Sequence, residues 1–427
     1  MYLSVRNRPG GGTATRARAT QVGGTVVLLG MVSLFTDVSS EMVSAVLPLY
    51  LTAELGMSVL AYGFVDGLYQ GVSALVRIAG GYLGDRHNRP KWVAAAGYGV
   101  SALSRLAMLP VHGLATLTSV ITADRLGKGL RTAPRDALIA DASDPLSVGR
   151  AFGVHRTLDT IGAAIGPLAA FALLYSMPGG YDSIFVASFA FAVVGLAFLV
   201  LFVPDRRVQA TPGEPVSVRR VLAQITAPKV RAPLLAAALL GVCTVGDGFL
   251  YLSLQQRDSF AAVYFPLLYV GTNIAYLSLA VPFGRLADRV GRSRVFLGGH
   301  VALLVAYLSA AGPFPGVAAT LVTLALLGAF YAATDGVLAA LVSGIVAPSV
   351  RGTGIAAAQT VVAVARFASS LAFGGIWLAL GRAHALLLVA GLLAGAMLFA
   401  AWVLRGSRRA GDAGGPAPAE GERVATS

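Results

Sequence analysis

An all-α membrane protein of twelve transmembrane helices, arranged as two pseudo-symmetric six-helix bundles, is predicted by three observations. Apolar runs of membrane-spanning length recur along the whole chain, basic residues gather in alternate loops, and one short Gly-x-Leu-x-Asp-Arg loop occurs twice. The 427 residues are 56% hydrophobic and only 12% charged, well outside the balance of an ordinary water-soluble protein. A run of roughly 20 apolar residues spans about 30 Å of hydrocarbon as helix, and such runs are not confined to the start of the chain. A soluble enzyme behind a signal peptide is thereby excluded.

In chain order, the runs predict helices over 24–51, 58–83, 92–111, 115–140, 149–176 and 183–204, then 232–256, 259–286, 294–312, 316–345, 352–380 and 384–404. The segments divide into a disordered cytoplasmic tail (1–21), a first bundle (22–204), a cytoplasmic linker (205–231), a second bundle (232–404) and a disordered cytoplasmic tail (405–427). The linker carries Pro204, Pro212, Pro215 and Pro228 within or beside it, and a surface-lying helix is expected around 216–225. The only cysteine, Cys243, lies in an apolar run, which excludes an intramolecular disulfide and points to core packing.

The net charge of +13 would suit nucleic-acid binding in a soluble chain, but its placement argues otherwise. Arg86, Arg89 and Lys91, then Arg206 to Arg231, then Arg285 to Arg294, then Arg405 to Arg409 mark every second connection, while the others hold little beyond Arg257 and Arg382. This is positive-inside asymmetry, and it sets both termini in the cytoplasm of a multi-pass cell-membrane protein.

Residues 81–91, beginning Gly81-Tyr82-Leu83-Gly84-Asp85-Arg86, align with 284–294, beginning Gly284-Arg285-Leu286-Ala287-Asp288-Arg289, at a constant offset of 203. A weaker match relates Arg150-Ala151-Phe152-Gly153 to Arg351-Gly352-Thr353-Gly354. The chain is thus read as a duplicated six-helix unit. The loop resembles the signature between the second and third helices of the major facilitator superfamily, and the resemblance covers essentially the whole chain. Asn88 departs from the family's usual glycine, although Asn tolerates positive φ better than other side chains. The resemblance implies two bundles rocking around a site near the membrane midplane.

In that reading Gly81 and Gly284 permit close packing of a helix end, and Asp85 and Asp288 latch one state with Arg86, Arg89, Arg289 and Arg292 around them. The start of the eleventh helix near 352–354 is the expected partner of the first aspartate, with Arg86 or Arg89 reaching Asp136 or Asp141. The alternative is a solvated loop that only sets topology, which leaves the repeated aspartates without a role.

Arg125-Leu126-Gly127-Lys128-Gly129 is similar to the family's fourth-helix element, which implies that Arg125 lies in the cavity and takes part in proton coupling. Arg125 and Lys128 sit too deep to reach water, whereas Arg131 and Arg135 are expected to snorkel to the cytoplasmic surface. Gly162, Gly166 and Pro167 in the fifth helix resemble the family's antiporter element, with Ala169-Ala170 replacing its usual glycines. Small residues at that spacing also serve generic helix packing.

The first helix places Asp37 and Glu41 four residues apart on one face, near mid-membrane. With Arg125 and Lys128 nearby, one acid stays ionised while the other, repelled and partly desolvated, takes a proton. The arrangement suits a proton carrier and equally a cationic or metal-chelating substrate; a purely structural ion-pair network is the third option. Asp247 and Asp335 lack a neighbouring cation in sequence, but the seventh and tenth helices line the family's cavity. They are therefore candidate substrate or proton residues of the second half. Arg156 and Asp159 are spaced to pair, and His155 reads as a satisfied structural histidine.

The expectation is a monomeric secondary transporter for a small organic molecule, exporting it in exchange for protons from within the lipid bilayer. An uptake symporter for a metabolite or metal chelate is the alternative, and a non-transporting receptor or assembly protein the third. No phosphate-binding Gly-x-x-x-x-Gly-Lys-Ser/Thr loop is present, which argues against ATP-driven transport by this chain alone. No catalytic residue, cofactor, metal ligand set or nucleic-acid partner is expected.

Overall fold

The computed structural model describes residues 23–87, 89–144, 147–205, 228–335 and 351–412. The first half comprises α1 (Gly24–Leu49), α2 (Val59–His87), α3 (Pro90–Ala107), α4 (Leu114–Asp141), α5 (Val148–Ser176) and α6 (Tyr181–Phe202). The second comprises α7 (Pro228–Val242), α8 (Asp247–Asp258), α9 (Phe265–Val290), α10 (Arg292–Ala311), α11 (Val317–Thr334), α12 (Arg351–Leu380) and α13 (Arg382–Asp412). Nine helical stretches among the described residues are long and apolar enough to cross a membrane. Of the other first-half helices, α2 carries Asp66 and Arg77, α3 carries Arg105, and α4 carries Asp124, Arg125, Lys128 and Arg131. Their charge is the reason the bundle needs a polar interior.

Duplication extends from sequence to packing. In the first half α1 packs on α5 and α6, α4 on α2 and α3, and α3 on α6. The second half repeats each pairing: α7 on α12 and α13, α11 on α9 and α10, and α10 on α13. The halves meet through two equivalent seams, α2 on α12 and α5 on α9. A Cβ on Gly374 would lie 2.9 Å from the Val59 carbonyl oxygen, so the first seam is a near contact of backbones. Tyr62 and Phe249 pack edge to face at 4.7 Å nearby, and Phe171 stacks on Tyr264 at 6.2 Å in the second seam. These contacts lie toward the end of the bundle that carries the α1–α2 connection, opposite the linker.

Three local features differ from the expected helices. The segment expected as one helix over 232–256 is broken between Val242 and Asp247. The tenth helix ends at Thr334, where the Asp335 backbone turns extended, and 336–345 of the expected span lies outside the described residues. The last helix runs to Asp412, past the point where a disordered tail was expected to begin. The expected helix over 216–225 also lies outside the described residues. At the second signature loop α9 stops on Gly291 with φ of 107°, a conformation only glycine adopts without strain.

Candidate functional site

The α1–α5 contact is a ladder of small and polar groups. A Cβ on Gly162 would strike the Leu34 carbonyl oxygen, and one on Gly166 would lie 2.7 Å from Glu41 Cβ and 2.8 Å from the Val38 oxygen. Glycine at both positions therefore lets α1 lie directly on α5. At that separation Ser33 Oγ comes 2.8 Å from His155 Nε2. One turn further along both helices Asp37 of α1 and Asp159 of α5 lie within electrostatic reach of one another. Asp159 also keeps its expected neighbour, Arg156, at 3.7 Å. Asp37 and Glu41 are half-buried, as is Lys128 of α4, whose charge lies within electrostatic reach of both.

Arg125 is buried, but its donors do not go to the first-helix acids. Its Nε lies 2.9 Å from Asp124 Oδ2, its Nη2 bonds the same oxygen, and its guanidinium lies 3.6 Å from the centre of the Tyr69 ring. Arg105 of α3 completes the ion cluster, with Nη2 3.0 Å from Asp124 Oδ1 and 3.1 Å from Ser40 Oγ of α1. The Tyr69 hydroxyl meets Ser44 of α1. Arg125 thus belongs to a cross-tie of α1, α2, α3 and α4 around Asp124, and its charge also reaches Glu41 electrostatically. Asp124 is absent from the residues singled out in the sequence; an acid beside Arg125 in a membrane helix is the signal that points to it.

Arg131 corrects a second expectation. It is 3% exposed and lies 4.6 Å from the centre of the Tyr98 ring instead of snorkelling. Gly97 and Gly127 bring α3 and α4 together there: a Cβ on Gly97 would sit 2.7 Å from the Gly127 oxygen. Arg135 points inward too, 2.9 Å from Asp136 and 3.3 Å from Ser33 Oγ. His155 is the satisfied buried histidine expected of it.

In the second half the broken span forms the site. Tyr307 of α10 holds the break: its hydroxyl accepts from the Val245 N–H at 2.7 Å and donates to the Cys243 oxygen at 3.1 Å. Asp247 opens α8 and accepts from the Tyr331 hydroxyl. The cation absent from its sequence neighbourhood is Arg366 of α12, which reaches Asp247 and Asp335 electrostatically. Asp335 itself is exposed at the end of α11. Across the seam, Ser370 Oγ donates to Asp66 Oδ2 at 2.6 Å. A small polar pocket is lined here by Gln70, Thr244, Val245, Gly246, Tyr331, Arg366 and Ser370.

The signature-loop residues are placed less completely. Gly81, Asp85 and Arg86 belong to α2 by backbone, and their side chains, like those near 352–354, lie outside the described set. Arg89 and Arg289 are exposed, and Asp288 faces Arg292 at 3.6 Å within its own loop. Close packing was expected at Gly284, but among the described residues a Cβ there would meet nothing within 4 Å.

The Major Facilitator Superfamily model matches residues 29–272 and 259–426. An uncharacterised MFS-type transporter of Methanocaldococcus jannaschii is 30% identical over 363 residues, covering 82% of this chain and 88% of that protein. Among solved structures, the nucleoside transporter NupG superposes with a TM-score of 0.77 at 14% identity, covering 90% of this chain and 99% of that one. A POT family transporter in complex with 5-aminolevulinic acid gives 0.76 at 13%, covering 91% and 96%. Family model and homologue agree with the duplicated packing and the membrane-spanning helices: the chain belongs to the Major Facilitator Superfamily.

Proposed function

We propose that this membrane transporter is a proton-coupled exporter of a small organic molecule, working by alternating access as a monomer in the cell membrane. The observation that carries the reading is the close α1–α5 packing at Gly162 and Gly166, which with the Ser33–His155 bond sets Asp37 opposite Asp159. Two carboxyl groups hydrogen-bond to one another only when one of them holds a proton. An acid pair on facing membrane helices, with Lys128 in reach, is a site that gains and loses one proton as its surroundings change. Gly162, Gly166 and Pro167, whose pattern suggests exchange, lie on the helix that brings Asp159 to Asp37. Glu41 is the third acid of the site, one turn beyond Asp37 on α1.

With the basic loops in the cytoplasm, the seam contacts at Val59–Gly374 and Phe171–Tyr264 lie at the outer end. Asp85 and Asp288 then act at the cytoplasmic end, as latches of the opposite state. The test uses purified protein in vesicles carrying a pH-sensitive dye. Substrate-dependent proton movement that disappears in Asp37→Asn and Asp159→Asn supports the reading; unchanged movement in both removes the pair from the mechanism. Direction is read separately, from whether right-side-out cells expel or accumulate labelled substrate.

A further inference from the structure

Asp66 of α2 carries a hydrogen bond from one half of the protein to the other, accepting at Oδ2 from Ser370 Oγ of α12 at 2.6 Å. The same oxygen rests against Gly246 at the start of α8, where a Cβ would overlap it. One turn earlier on α2 the Tyr62 hydroxyl lies against Gly248 and leaves no room for a Cβ there either. Glycine at 246 and 248 thus opens the start of α8 to two polar side chains of α2. Through these contacts Asp66 joins the α2–α12 seam to the broken span that carries Asp247.

Around this tie the seam is a contact of backbones. Gly63, Gly67 and Gly71 recur every fourth residue along one face of α2. A Cβ on Gly63 would lie 2.5 Å from the Ser370 carbonyl oxygen, one on Gly67 3.1 Å from the Phe367 oxygen, and one on Gly71 3.5 Å from Phe367 Cβ. The duplication supplies a comparison. At the offset of 203 that relates the halves, Gly63, Asp66, Gly67 and Gly71 correspond to Pro266, Tyr269, Val270 and Ile274. At the offset of 201 that relates Arg150 to Arg351, Ser370 corresponds to Ala169. The equivalent α5–α9 seam therefore forms without the glycines, the acid or the hydroxyl. Building a seam of this kind does not require a carboxylate, which is costly to keep in a membrane helix. A hydrogen bond to a carboxylate also counts for more than one between neutral groups, and this one exists only while α2 and α12 touch.

We infer that Asp66 is the positioning residue that latches this conformation: through Ser370 and Gly246 it holds the α2–α12 seam shut, and both contacts are given up when the halves part. Water entering the parted seam takes over the hydrogen bonds of the carboxylate, so the latch sets the balance between two states and makes neither inaccessible. Because Gly246 begins the helix that bears Asp247, release of Asp66 also uncovers the start of α8, and opening of the seam is felt at the broken span. The inference rests on the alternating-access part of the proposed function, and not on proton coupling or the direction of transport.

The test measures distances by double electron–electron resonance in the purified full-length protein carrying Cys243→Ala, with neither substrate nor proton gradient. Spin labels on Asp182→Cys and Phe314→Cys, both exposed, report the end of the bundle that carries the seam contacts. Labels on Ala140→Cys and Val290→Cys, also exposed, report the opposite end. Asp66→Ala and Ser370→Ala are each expected to shift the ratio of short to long distances at the first end about tenfold toward long, a change of about 1.4 kcal/mol. Short distances should gain at the opposite end, with the peak positions unmoved at both. The double variant should shift no further than either single one, because both remove the same bond. Opposite changes at the two ends mark a change of state, which a tie that only packs the seam would not produce. An unchanged ratio in both variants overturns the inference, as does broadening around a single distance at the first end with the other end unaffected. Should Asp66→Ala fail to fold, Ser370→Ala carries the test alone. Substrate-driven proton movement that survives beside a flat result here would show a cycle that runs without the latch, and loss of coupling would leave a positive result standing.

Discussion

His155 Nε2 on α5 lies 2.8 Å from Ser33 Oγ on α1, and one turn further along both helices Asp159 lies within electrostatic reach of Asp37. The Ser33–His155 bond fixes the register of parallel helices, so the acid pair is a property of the interface and not of either helix. If the carboxyls share one proton as a unit, removing either should remove the site. Asp37→Asn and Asp159→Asn are each expected to reduce substrate-driven proton movement by roughly 10²-fold or more, and the double variant should be no worse than the singles. Vesicle dye assays on all four proteins check this. Strictly multiplicative losses would show two independent groups.

Glycine on the α5 face has a different weight from glycine in the signature loop. At Gly166 a Cβ would stand 2.7 Å from Glu41 Cβ and 2.8 Å from a backbone oxygen, neither of which can swing away. Gly166→Ala should therefore destabilise by about 1–3 kcal/mol, through forced separation of α1 from α5. Gly284→Ala meets open space among the described residues, and replacing a helical glycine with alanine should stabilise by about 0.5–1 kcal/mol. Thermal midpoints in detergent separate the two, and a drop at position 284 matching that at 166 would refute the packing argument.

The duplication, the span pattern and the acids of α1 were legible because each is written in local sequence: a repeated loop, long apolar runs, charges in an apolar helix. What stayed hidden was pairing across helices. Asp37 gave no sign that its partner is Asp159, because the Arg156–Asp159 spacing already offered that acid a local neighbour. Arg125 is as buried as its sequence context implies, yet its adjacent Asp124 takes its donors, and geometry alone decides between a neighbour and a carboxylate on another helix. Arg131 near a helix end reads as a snorkelling cation until the Tyr98 ring is seen beneath it. The break in the seventh span leaves a faint trace in Cys243-Thr244-Val245-Gly246, but the hydroxyl that sustains it comes from Tyr307, some sixty residues away.

Asp124 is the hub of the first-half cation cluster, and its removal tests the cross-tie. Asp124→Asn leaves Arg105 and Arg125 buried and facing one another without their shared anion. Breaking a buried ion pair from one side costs about 3–5 kcal/mol, because the stranded charge stays desolvated. The variant is expected to express poorly and to lose most of its thermal stability. The combined Asp124→Asn and Arg105→Gln change should recover part of it. Equal midpoints for Asp124→Asn and the unmutated protein would show that the cluster is solvated and structurally idle.

Tyr307 offers the most direct test of the broken span. The Val245 N–H and the Cys243 carbonyl are buried where no helical ladder serves them, and one hydroxyl satisfies both, at 2.7 and 3.1 Å. Tyr307→Phe keeps the ring and its packing but leaves both backbone groups without that partner. A buried donor left unpaired costs about 1–3 kcal/mol. Either the break closes into continuous helix, shifting Asp247 by part of a turn relative to Tyr331 and Arg366, or it persists at reduced stability. Both outcomes lower the thermal midpoint, and the first also weakens substrate binding. A midpoint and an affinity that match the unmutated protein would mean that water replaces the hydroxyl, and that Tyr307 does not set the geometry of the break.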